Sequence, residues 1–358
     1  MSHYNILILG ASYGSLLASK IMFGGHDVKL VCLPEEAALI NGEGFRVRMP
    51  IRVGKEPVLI DSRNLPGKVS AAGPAEVSPA DYDLIGLAMQ EPQYSSPAVR
   101  ELLDRVAKSR VPCMSIMNMP PLPYIRRIPG IDTDAVREAY TDPSVWNGFD
   151  PGMLTLCSPD PQAVRPPEEK ANFLHVTLPT NFKVARFDDE AANNILRQIE
   201  KDIDAARVNT AEGLSELPVK LRFHDSLFVP LAKWSMLLAG NYRCITPDGM
   251  RTAQEAVYAN LAESRSIYDF VIDLCVALGA RREELVPFDK YAAAAKGLTR
   301  PASVARALNN GARNVERADK LVQLLASQKG MRHPAIDQIV ELVDRRLAAN
   351  RRQPSVAV

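Results

Sequence analysis

One lysine stands in a strongly apolar stretch of the sequence. Lys233 lies within residues 230–238, Pro-Leu-Ala-Lys-Trp-Ser-Met-Leu-Leu, and Asn241 follows eight residues after the lysine. On a continuous helix, residues eight apart differ by roughly 80° around the axis, so both side chains would share one broad face. Burial disfavours the charged form of an ammonium, which would suit Lys233 to proton transfer. The alternative is a lysine at a helix boundary whose ammonium reaches solvent along an apolar surface.

A second candidate for chemistry is the turn after the first apolar run. An apolar strand over residues 4–9 leads into small residues and then into an apolar helix over 16–23. A dinucleotide-binding loop uses glycines for its bend, for close approach of phosphate and for helix–strand packing. Those three positions hold Gly10, Ser12 and Ser15. The Ser12 hydroxyl can donate to phosphate, Ser15 is small enough to pack, and Gly14 adds backbone freedom.

We therefore predict that this turn lays the pyrophosphate of a dinucleotide on the N-terminus of the helix. The alternative is a tight turn that binds a different ligand or none. The residues of the turn predicted to bind the cofactor are Gly10, Ala11, Ser12, Tyr13, Gly14 and Ser15.

The elements around this turn predict an α/β fold. Short apolar strands alternate with helices through the first half of the chain, which is typical of a doubly wound parallel sheet. Ligands of such sheets bind at the carboxyl ends of the strands. The residues at the ends of three predicted strands, over 4–9, 83–89 and 111–117, are Gly10, Met89, Gln90 and Asn118.

The second half of the sequence has a different pattern. From residue 188 onward, apolar residues recur at helical spacing. We therefore predict a dinucleotide-binding domain over 1–187 and an all-helical domain over 188–358. The helices predicted there cover 190–205, 224–238, 253–278, 301–308, 316–328 and 335–348.

Three further features are predicted in the first half. Residues 45–49 and 57–60 are interpreted as an added antiparallel hairpin. Strands over 173–178 and 183–187 are predicted to close the domain. Residues 141–167 are rich in proline, aspartate and glycine, and their pattern predicts no particular structure.

Composition narrows the class of protein. The 358 residues carry a net charge of +1 with both signs scattered, which disfavours a nucleic-acid-binding surface. The five cysteines form no C-x-x-C pair and the five histidines show no metal-ligand spacing, so we predict no metal site and a reducing compartment. No apolar run reaches the length of a membrane span, and a strand begins within the first four residues. These features predict a cytoplasmic protein that binds neither membrane nor nucleic acid.

Several of these stretches resemble the ketopantoate reductase (2-dehydropantoate 2-reductase) family. They are the N-terminal G-A-S-Y-G-S with the following G-G-H-D-V-K-L-V, residues 83–93, residues 117–119, and the helix with Lys233 and Asn241. The resemblance covers most of the chain. It implies a Rossmann domain, a helical domain related to that of 6-phosphogluconate dehydrogenase, a homodimer, and NADPH-dependent reduction of a 2-keto acid to a 2-hydroxy acid.

Matched residue by residue, the resemblance also implies roles. Lys233 matches the family's general acid, which protonates the developing alkoxide, and Asn241 matches an asparagine that binds substrate. Asn118 matches an asparagine beside both nicotinamide and substrate, and Ser303 resembles a serine of the substrate site. Glu316 resembles a catalytic-site glutamate that orients substrate, when the alignment is shifted slightly.

The sequence departs from the family pattern around the same site. The replacements are Gln90 for a lysine, Leu237 for a second asparagine, Met119 for a glycine, and Leu33 for the basic residue that holds the 2′-phosphate of NADP. Glu35 and Glu36, close behind the second strand, are predicted to start the next helix. Residues 143–167 resemble an insertion or a rebuilt segment.

The first functional prediction is an NAD(P)-dependent reductase or dehydrogenase. It would transfer hydride to a small 2-keto acid or related carbonyl, with Lys233 as general acid, NADP as cofactor and NAD as the alternative. A second interpretation is an opine-dehydrogenase-like enzyme, which needs a catalytic histidine near Asn118 or in the helical half, where His224 is the candidate. A third is a non-catalytic nucleotide-binding protein, which Gln90 and the altered glycine loop favour.

Overall fold

The structure is a computed structural model that describes residues 2–51, 56–211 and 213–353. Its contacts divide the chain into two units, each built from several segments. The first unit contains the chain up to Met89, Gln93–Arg127 and Ser144–Ser226; the second contains Gln90–Pro92, Ile128–Pro143 and the chain from Leu227 onward. The chain thus leaves the first unit and returns to it twice before it enters the second for the last time.

The first unit contains the strands. Numbered in chain order, they are β1 (Asn5–Leu9), β2 (Asp27–Val31), β3 (Arg46–Pro50), β4 (Pro57–Asp61), β5 (Val69–Ala72), β6 (Leu84–Leu87), β7 (Cys113–Ile116), β8 (Leu154–Ser158), β9 (Gln162–Val164), β10 (Phe173–Leu178), β11 (Phe182–Ala185), β12 (Arg207–Thr210), β13 (Gly213–Glu216) and β14 (Leu221–His224). Its longer helices are α1 (Gly14–Phe23), α2 (Pro34–Glu43), α3 (Pro97–Ser109) and α5 (Glu190–Ala205), with a single turn α4 (Leu122–Ile125).

Eight of these strands form one sheet in the order β14-β11-β8-β7-β6-β1-β2-β5. Across the sheet from β8 through β7, β6, β1 and β2 to β5, neighbouring strands all pair parallel. This order is that of a doubly wound dinucleotide-binding sheet with β1 at its centre. The strand β11 then runs antiparallel to β8. The predicted fold class, a Rossmann-type parallel sheet followed by a helical domain, is confirmed.

The central strands are apolar because they are buried on both faces. Every residue of β6 and β7 is buried, as is every residue of β1 after Asn5. Parallel strands in such positions show continuous apolar runs and no alternation. This is why the sequence pattern located them well.

A second, four-stranded sheet has the order β4-β3-β10-β9. The predicted hairpin is confirmed, since β3 and β4 pair antiparallel from Arg46–Asp61 to Pro50–Pro57. The predicted strand over 173–178 also forms, but it pairs with β3 in this sheet. Helix α1 contacts both β2 and β3, so the second sheet packs over the helix that starts at the glycine turn.

The segment without a readable pattern contains a central strand. Within residues 141–167, β8 is buried at every position and pairs with β7. Its short run Leu-Thr-Leu-Cys-Ser is bounded by proline-rich turns. Because both faces of the strand are covered, apolar and polar residues do not alternate along it, and the pattern typical of a half-buried strand is missing. Its pairing with β7 is what identifies it as a central strand.

The predicted domain boundary between residues 187 and 188 differs from the observed division. Helix α5 forms over the predicted residues, but it belongs to the first unit. The chain after it returns to the sheet, where β14 pairs with β11 from Phe182–Leu221 to Ala185–His224. The sheet is therefore completed by β14, which follows α5 in the chain, although the sequence pattern predicts α5 as part of the helical domain.

The second unit is helical. Its main helices are α6 (Lys233–Met236), α7 (Ala253–Tyr258), α8 (Leu261–Leu278), α9 (Phe288–Ala295), α10 (Ser303–Asn309), α11 (Ala318–Gln328) and α12 (Pro334–Arg352). The helix predicted over 253–278 is divided at Asn260, whose side chain accepts a hydrogen bond from the Glu263 backbone N–H (3.1 Å) and so caps α8. None of the helices in the described ranges is long and apolar enough to cross a membrane.

One residue of α1, Lys20, has a basic side chain in an apolar environment. Lys20 is fully buried, with its Nζ 3.5 Å from Met49 Sδ and 5.9 Å from the centre of the Phe23 ring. Burial lowers the pKa of Lys20 to about 7. A buried ammonium with such weakly polar neighbours destabilises the folded state at neutral and lower pH.

We expect Lys20→Met to raise the free energy of unfolding below pH 7 by about 1–4 kcal/mol. Because the folded-state pKa lies below the ordinary value of 10.5, the unfolded chain holds more protons between pH 7 and 10.5. Wild-type stability should therefore rise with pH across that window, and the variant should lack this rise. Urea unfolding at several pH values measures both. The control Lys108→Met, at an exposed site on α3, should show neither effect; a variant less stable than wild type below pH 7 would contradict the argument.

Candidate active site

The predicted nucleotide loop begins at a position that only glycine can occupy. Gly10 has φ +102°, and a Cβ there would lie 2.8 Å from Ala88 O and 3.0 Å from Met89 Cγ. The loop is also fastened to both neighbouring strands, since Gly10 N–H donates to Val31 O and Ala88 N–H donates to Leu9 O, each at 2.8 Å. The ends of β1, β2 and β6 are thereby held together at the point where the strand order reverses.

Gly14, at the first residue of α1, provides the close approach of helix to strand. A Cβ on Gly14 would lie 2.8 Å from Ile8 Cγ2 of β1. The prediction gave the packing role to Ser15 and backbone freedom to Gly14. Ser15 is instead buried with its hydroxyl bonded to Ala11 O, which fixes the loop from within.

The outer side of the loop is open to an anion. Ser12 is exposed, and the first turn of α1 contains no acidic residue. The Tyr13 hydroxyl donates to Pro161 O (2.7 Å), and burial raises the pKa of Tyr13 well above its ordinary value. Tyr13 can therefore offer a ligand its backbone N–H, whereas its hydroxyl is occupied. An exposed hydroxyl and backbone N–H groups at a helix N-terminus fit a pyrophosphate.

Two more predicted residues lie at the adjacent strand ends. Met89 follows β6 by two residues and its N–H donates to the Tyr94 hydroxyl (3.1 Å). Asn118 follows β7 by two residues and is half-buried. Since β6 and β7 pair directly beside β1, the structure brings Gly10, Met89 and Asn118 to one edge of the sheet. Met119, which replaces the family's glycine, is fully buried.

The end of β2 carries no charged side chain of its own. Leu33 is 74% exposed, and Glu35 and Glu36 lie in the first turn of α2, which confirms their predicted place. The structure adds a residue that the sequence did not indicate, because the Arg165 guanidinium forms an ion pair with Glu36. Arg165 lies in the segment without a readable pattern, so no signal short of the tertiary contact could have found it.

In the second unit, Lys233 lies where the chain changes its helical form. The predicted helix over 224–238 is replaced by a 3₁₀ turn at Pro230–Ala232, the short α6, and a π turn at Leu237–Asn241. Lys233 begins α6 and Asn241 ends the π turn, and both are half-buried. The angle expected for an ideal helix therefore does not apply to this pair. π turns occur often at functional sites.

The π turn contacts α7, α8, α10 and α11. Tyr242, directly after Asn241, donates its hydroxyl to Glu316 O (2.5 Å) and accepts from Ala318 N–H (2.9 Å). This ties the residue after Asn241 to the backbone of Glu316. Ser303 begins α10 and is exposed.

Arg317, the residue after Glu316, forms a buried ion pair. The Arg317 guanidinium donates to both carboxylate oxygens of Asp319 (3.0 Å each) and to Asp344 on α12 (2.5 Å). Arg317 and Asp319 are both buried. The bidentate geometry fixes the chain on the C-terminal side of Glu316, as Tyr242 fixes its carbonyl.

Glu91 is the second residue that the sequence did not indicate. It is 2% exposed, its backbone N–H donates to Glu316 Oε1 (3.4 Å), and its carboxyl group accepts from the Thr141 N–H (2.9 Å) and hydroxyl (2.8 Å). Burial raises the pKa of Glu91 to about 7, with Glu316 adding to the rise and Thr141 opposing it. The exposed Gln90 precedes it, so the predicted cofactor residue lies next to a buried carboxyl group that titrates near neutrality.

His224, the candidate base of the opine-dehydrogenase interpretation, is the last residue of β14 at the outer edge of the sheet. It therefore belongs to the first unit and not to the helical half. Burial, followed by the positive charge of Lys183, lowers the pKa of His224. Nothing in this position favours that interpretation.

Comparisons with known proteins agree with the architecture. No protein-family model matches the sequence, and no curated protein is significantly similar to it. Among solved structures, D-mandelate dehydrogenase with NADH and anilino(oxo)acetate gives a TM-score of 0.64 at 13% identity, covering 97% of this chain and 99% of that one. The 2-dehydropantoate 2-reductase from Methylococcus capsulatus gives 0.63 at 13%, covering 98% and 99%. A dimeric ketopantoate reductase from Staphylococcus aureus gives 0.59 at 10%, covering 97% and 99%.

These similarities establish the fold along the full length of the chain. The resemblance to ketopantoate reductases is thereby confirmed for the sheet and for the helical unit. At identities of 10–13% the comparison assigns no role to any residue.

The Glu91 carboxyl group generates a prediction about pH. Its folded-state pKa of about 7 lies above the ordinary 4.5, so the folded protein holds more protons between these values. The free energy of unfolding should therefore fall as pH rises from 4.5 to 7, by roughly 3 kcal/mol at most. Glu91→Gln should remove this fall and be more stable than wild type above pH 7.

Unfolding of wild type and variant in parallel at each pH isolates the contribution of this group. Glu91→Ala is the matched control, because it removes the titration but leaves the Thr141 N–H without its acceptor. We expect it to be less stable than Glu91→Gln by about 1–3 kcal/mol at every pH. Equal pH slopes for wild type and Glu91→Gln would contradict the argument.

Proposed function

We propose that this protein is an NAD(P)H-dependent oxidoreductase that reduces the carbonyl of a small 2-keto acid, or a related compound, to the alcohol. The observation that carries the proposal is the glycine turn at the reversal of the strand order, where Gly10 is required by its φ of +102° and because a Cβ there would lie 2.8 Å from Ala88 O. D-mandelate dehydrogenase, which shares the fold, is known in complex with NADH. When bound, the reduced nicotinamide supplies the hydride.

The first unit would bind the cofactor. Backbone N–H groups from Ala11 to Gly14 and the Ser12 hydroxyl would hold the pyrophosphate, and Gly10 lets the chain pass close to it. Met89 and Asn118, at the ends of β6 and β7, would line the path toward the nicotinamide.

The second unit would supply the acid and bind substrate. The Lys233 ammonium would donate a proton to the carbonyl oxygen as negative charge develops on it. The Asn241 amide and the Ser303 hydroxyl can donate to a substrate carboxylate. The Glu316 carboxylate, whose backbone carbonyl is held by Tyr242, would accept from a donor on the substrate and so fix its orientation.

Three finer statements belong to the same proposal. NADP is the proposed cofactor, and a homodimer is proposed because one protein of this fold, from Staphylococcus aureus, is dimeric. The cytoplasmic location stays a prediction from composition.

The proposal is tested first by binding. Titration of the protein with NADPH and NADH, followed by tryptophan fluorescence and thermal shift, should show saturable binding of at least one of them. A screen of 2-keto acids should then show substrate-dependent loss of reduced nicotinamide absorbance. Binding without turnover of any carbonyl compound would favour the non-catalytic interpretation, and binding of neither nucleotide would contradict the proposal.

Replacement of the proposed acid gives the sharper test. Lys233→Met should lower kcat by about 10²–10⁴-fold while nucleotide affinity stays near that of wild type, because the lysine acts on the reacting oxygen. Lys290→Met, at an exposed site on α9, is the matched control and should keep full turnover. Full activity of Lys233→Met would remove Lys233 from the mechanism.

A further inference from the structure

We propose that Arg165 binds the 2′-phosphate on the adenosine ribose and makes this protein select NADPH over NADH. The inference rests on the proposed function and deepens it, since it names the side chain that decides between the two cofactors. It answers a question that the sequence left open, because the basic residue expected after the second strand is replaced by Leu33.

The position of Arg165 in the fold is the first support. In sheets with this strand order, the adenosine ribose lies against the end of the second strand. That strand is β2, and the residue after it is Cys32. Among the described residues, Glu36 and Arg165 are the charged groups that act electrostatically on the Cys32 thiol. Arg165 is therefore brought to the end of β2 from more than a hundred residues away in sequence.

The segment that carries Arg165 is fixed at two points, so the guanidinium is positioned in advance. After β8 ends at Ser158, the Pro161 carbonyl accepts the hydrogen bond from the Tyr13 hydroxyl (2.7 Å). The next residues form β9, whose Val164 pairs with His175 of β10. Arg165 follows directly. The same segment thus contacts the nucleotide loop at Tyr13 and the first turn of α2 at Glu36.

The hydrogen bonding of the guanidinium leaves donors for a ligand. In the described part of the chain, Arg165 bonds to protein through one nitrogen, Nη2, which pairs with Glu36 Oε1. Its Nε and Nη1 make no hydrogen bond there. An arginine has five N–H donors in a planar fork that matches phosphate oxygens, so one pair can hold the side chain while the others bind.

The difference in exposure between the Arg165 and Glu36 side chains favours binding of a phosphate over binding of a ribose hydroxyl. A carboxylate near the end of β2 would bind the 2′-hydroxyl of NADH, and Glu36 is the acidic group there. Its side chain is only 12% exposed and is neutralised by Arg165, whose own side chain is 32% exposed. The charged group that a ligand can reach is therefore the Arg165 guanidinium, and its ion pair with the Glu36 carboxylate orients it.

Nucleotide binding tests the inference without any assay of turnover. Isothermal titration of wild type with NADPH, NADH, adenosine 2′,5′-bisphosphate and adenosine 5′-monophosphate should show tighter binding of the two 2′-phosphorylated compounds. Arg165→Gln should weaken NADPH and the bisphosphate by about 10–100-fold, the effect of losing hydrogen bonds to a charged group. Its affinities for NADH and the monophosphate should change by less than about threefold.

The control is Arg63→Gln, which removes another arginine–carboxylate pair of the same unit, with Asp61 (2.6 Å), and should leave all four affinities unchanged. Equal losses for NADPH and NADH in Arg165→Gln, with an unchanged melting temperature, would overturn the role of Arg165. So would tighter binding of NADH than NADPH by wild type. If wild type binds neither dinucleotide, the proposed function itself fails.

Discussion

The distance between strand β1 and helix α1 is the constraint on which the first unit depends. A methyl group at Gly10 would meet Ala88 O, and one at Gly14 would meet Ile8, each at 2.8 Å. Without these two glycines the turn would open, the helix would move off the strand, and its N-terminal N–H groups would leave the edge of the sheet. The same turn holds β2 and β6 through Val31 O and Ala88 N–H. Packing density, more than any polar contact, therefore sets where a dinucleotide could bind.

In the second unit the corresponding constraint is the burial of charge. Glu91, Glu316, Arg317 and Asp319 are all nearly excluded from solvent, and the hydrogen bonds from Thr141 to Glu91 and from Arg317 to Asp319 offset part of the desolvation. Tyr242 connects this cluster to the π turn that ends at Asn241. Such a network has few alternative arrangements, because each broken contact would leave a buried polar group unpaired. The backbone at Glu316 is thereby fixed through Tyr242.

The segment that follows β8 contains Arg165, the residue proposed to bind the 2′-phosphate. The sequence placed no basic residue after the second strand, and the structure brings Arg165 there from another part of the chain. A contact at Tyr13 and a short strand pair hold the segment in place. In the role proposed for it, Arg165 would compensate for Leu33 although the two residues are far apart in sequence.

The sequence by itself determined the order of strands and helices wherever apolar runs were continuous or periodic. It also identified the glycine turn and the strand ends at Met89 and Asn118, because these follow from local pattern and from the geometry of parallel sheets. It could not show that β8 is a central strand, that the helix at Lys233 changes into a π turn, or that Glu91 and Arg165 belong near the candidate site. Strand pairing, buried carboxyl groups and ion pairs between distant residues depend on contacts that no local pattern encodes. Only the tertiary structure decided them, since burial and desolvation are properties of the folded chain.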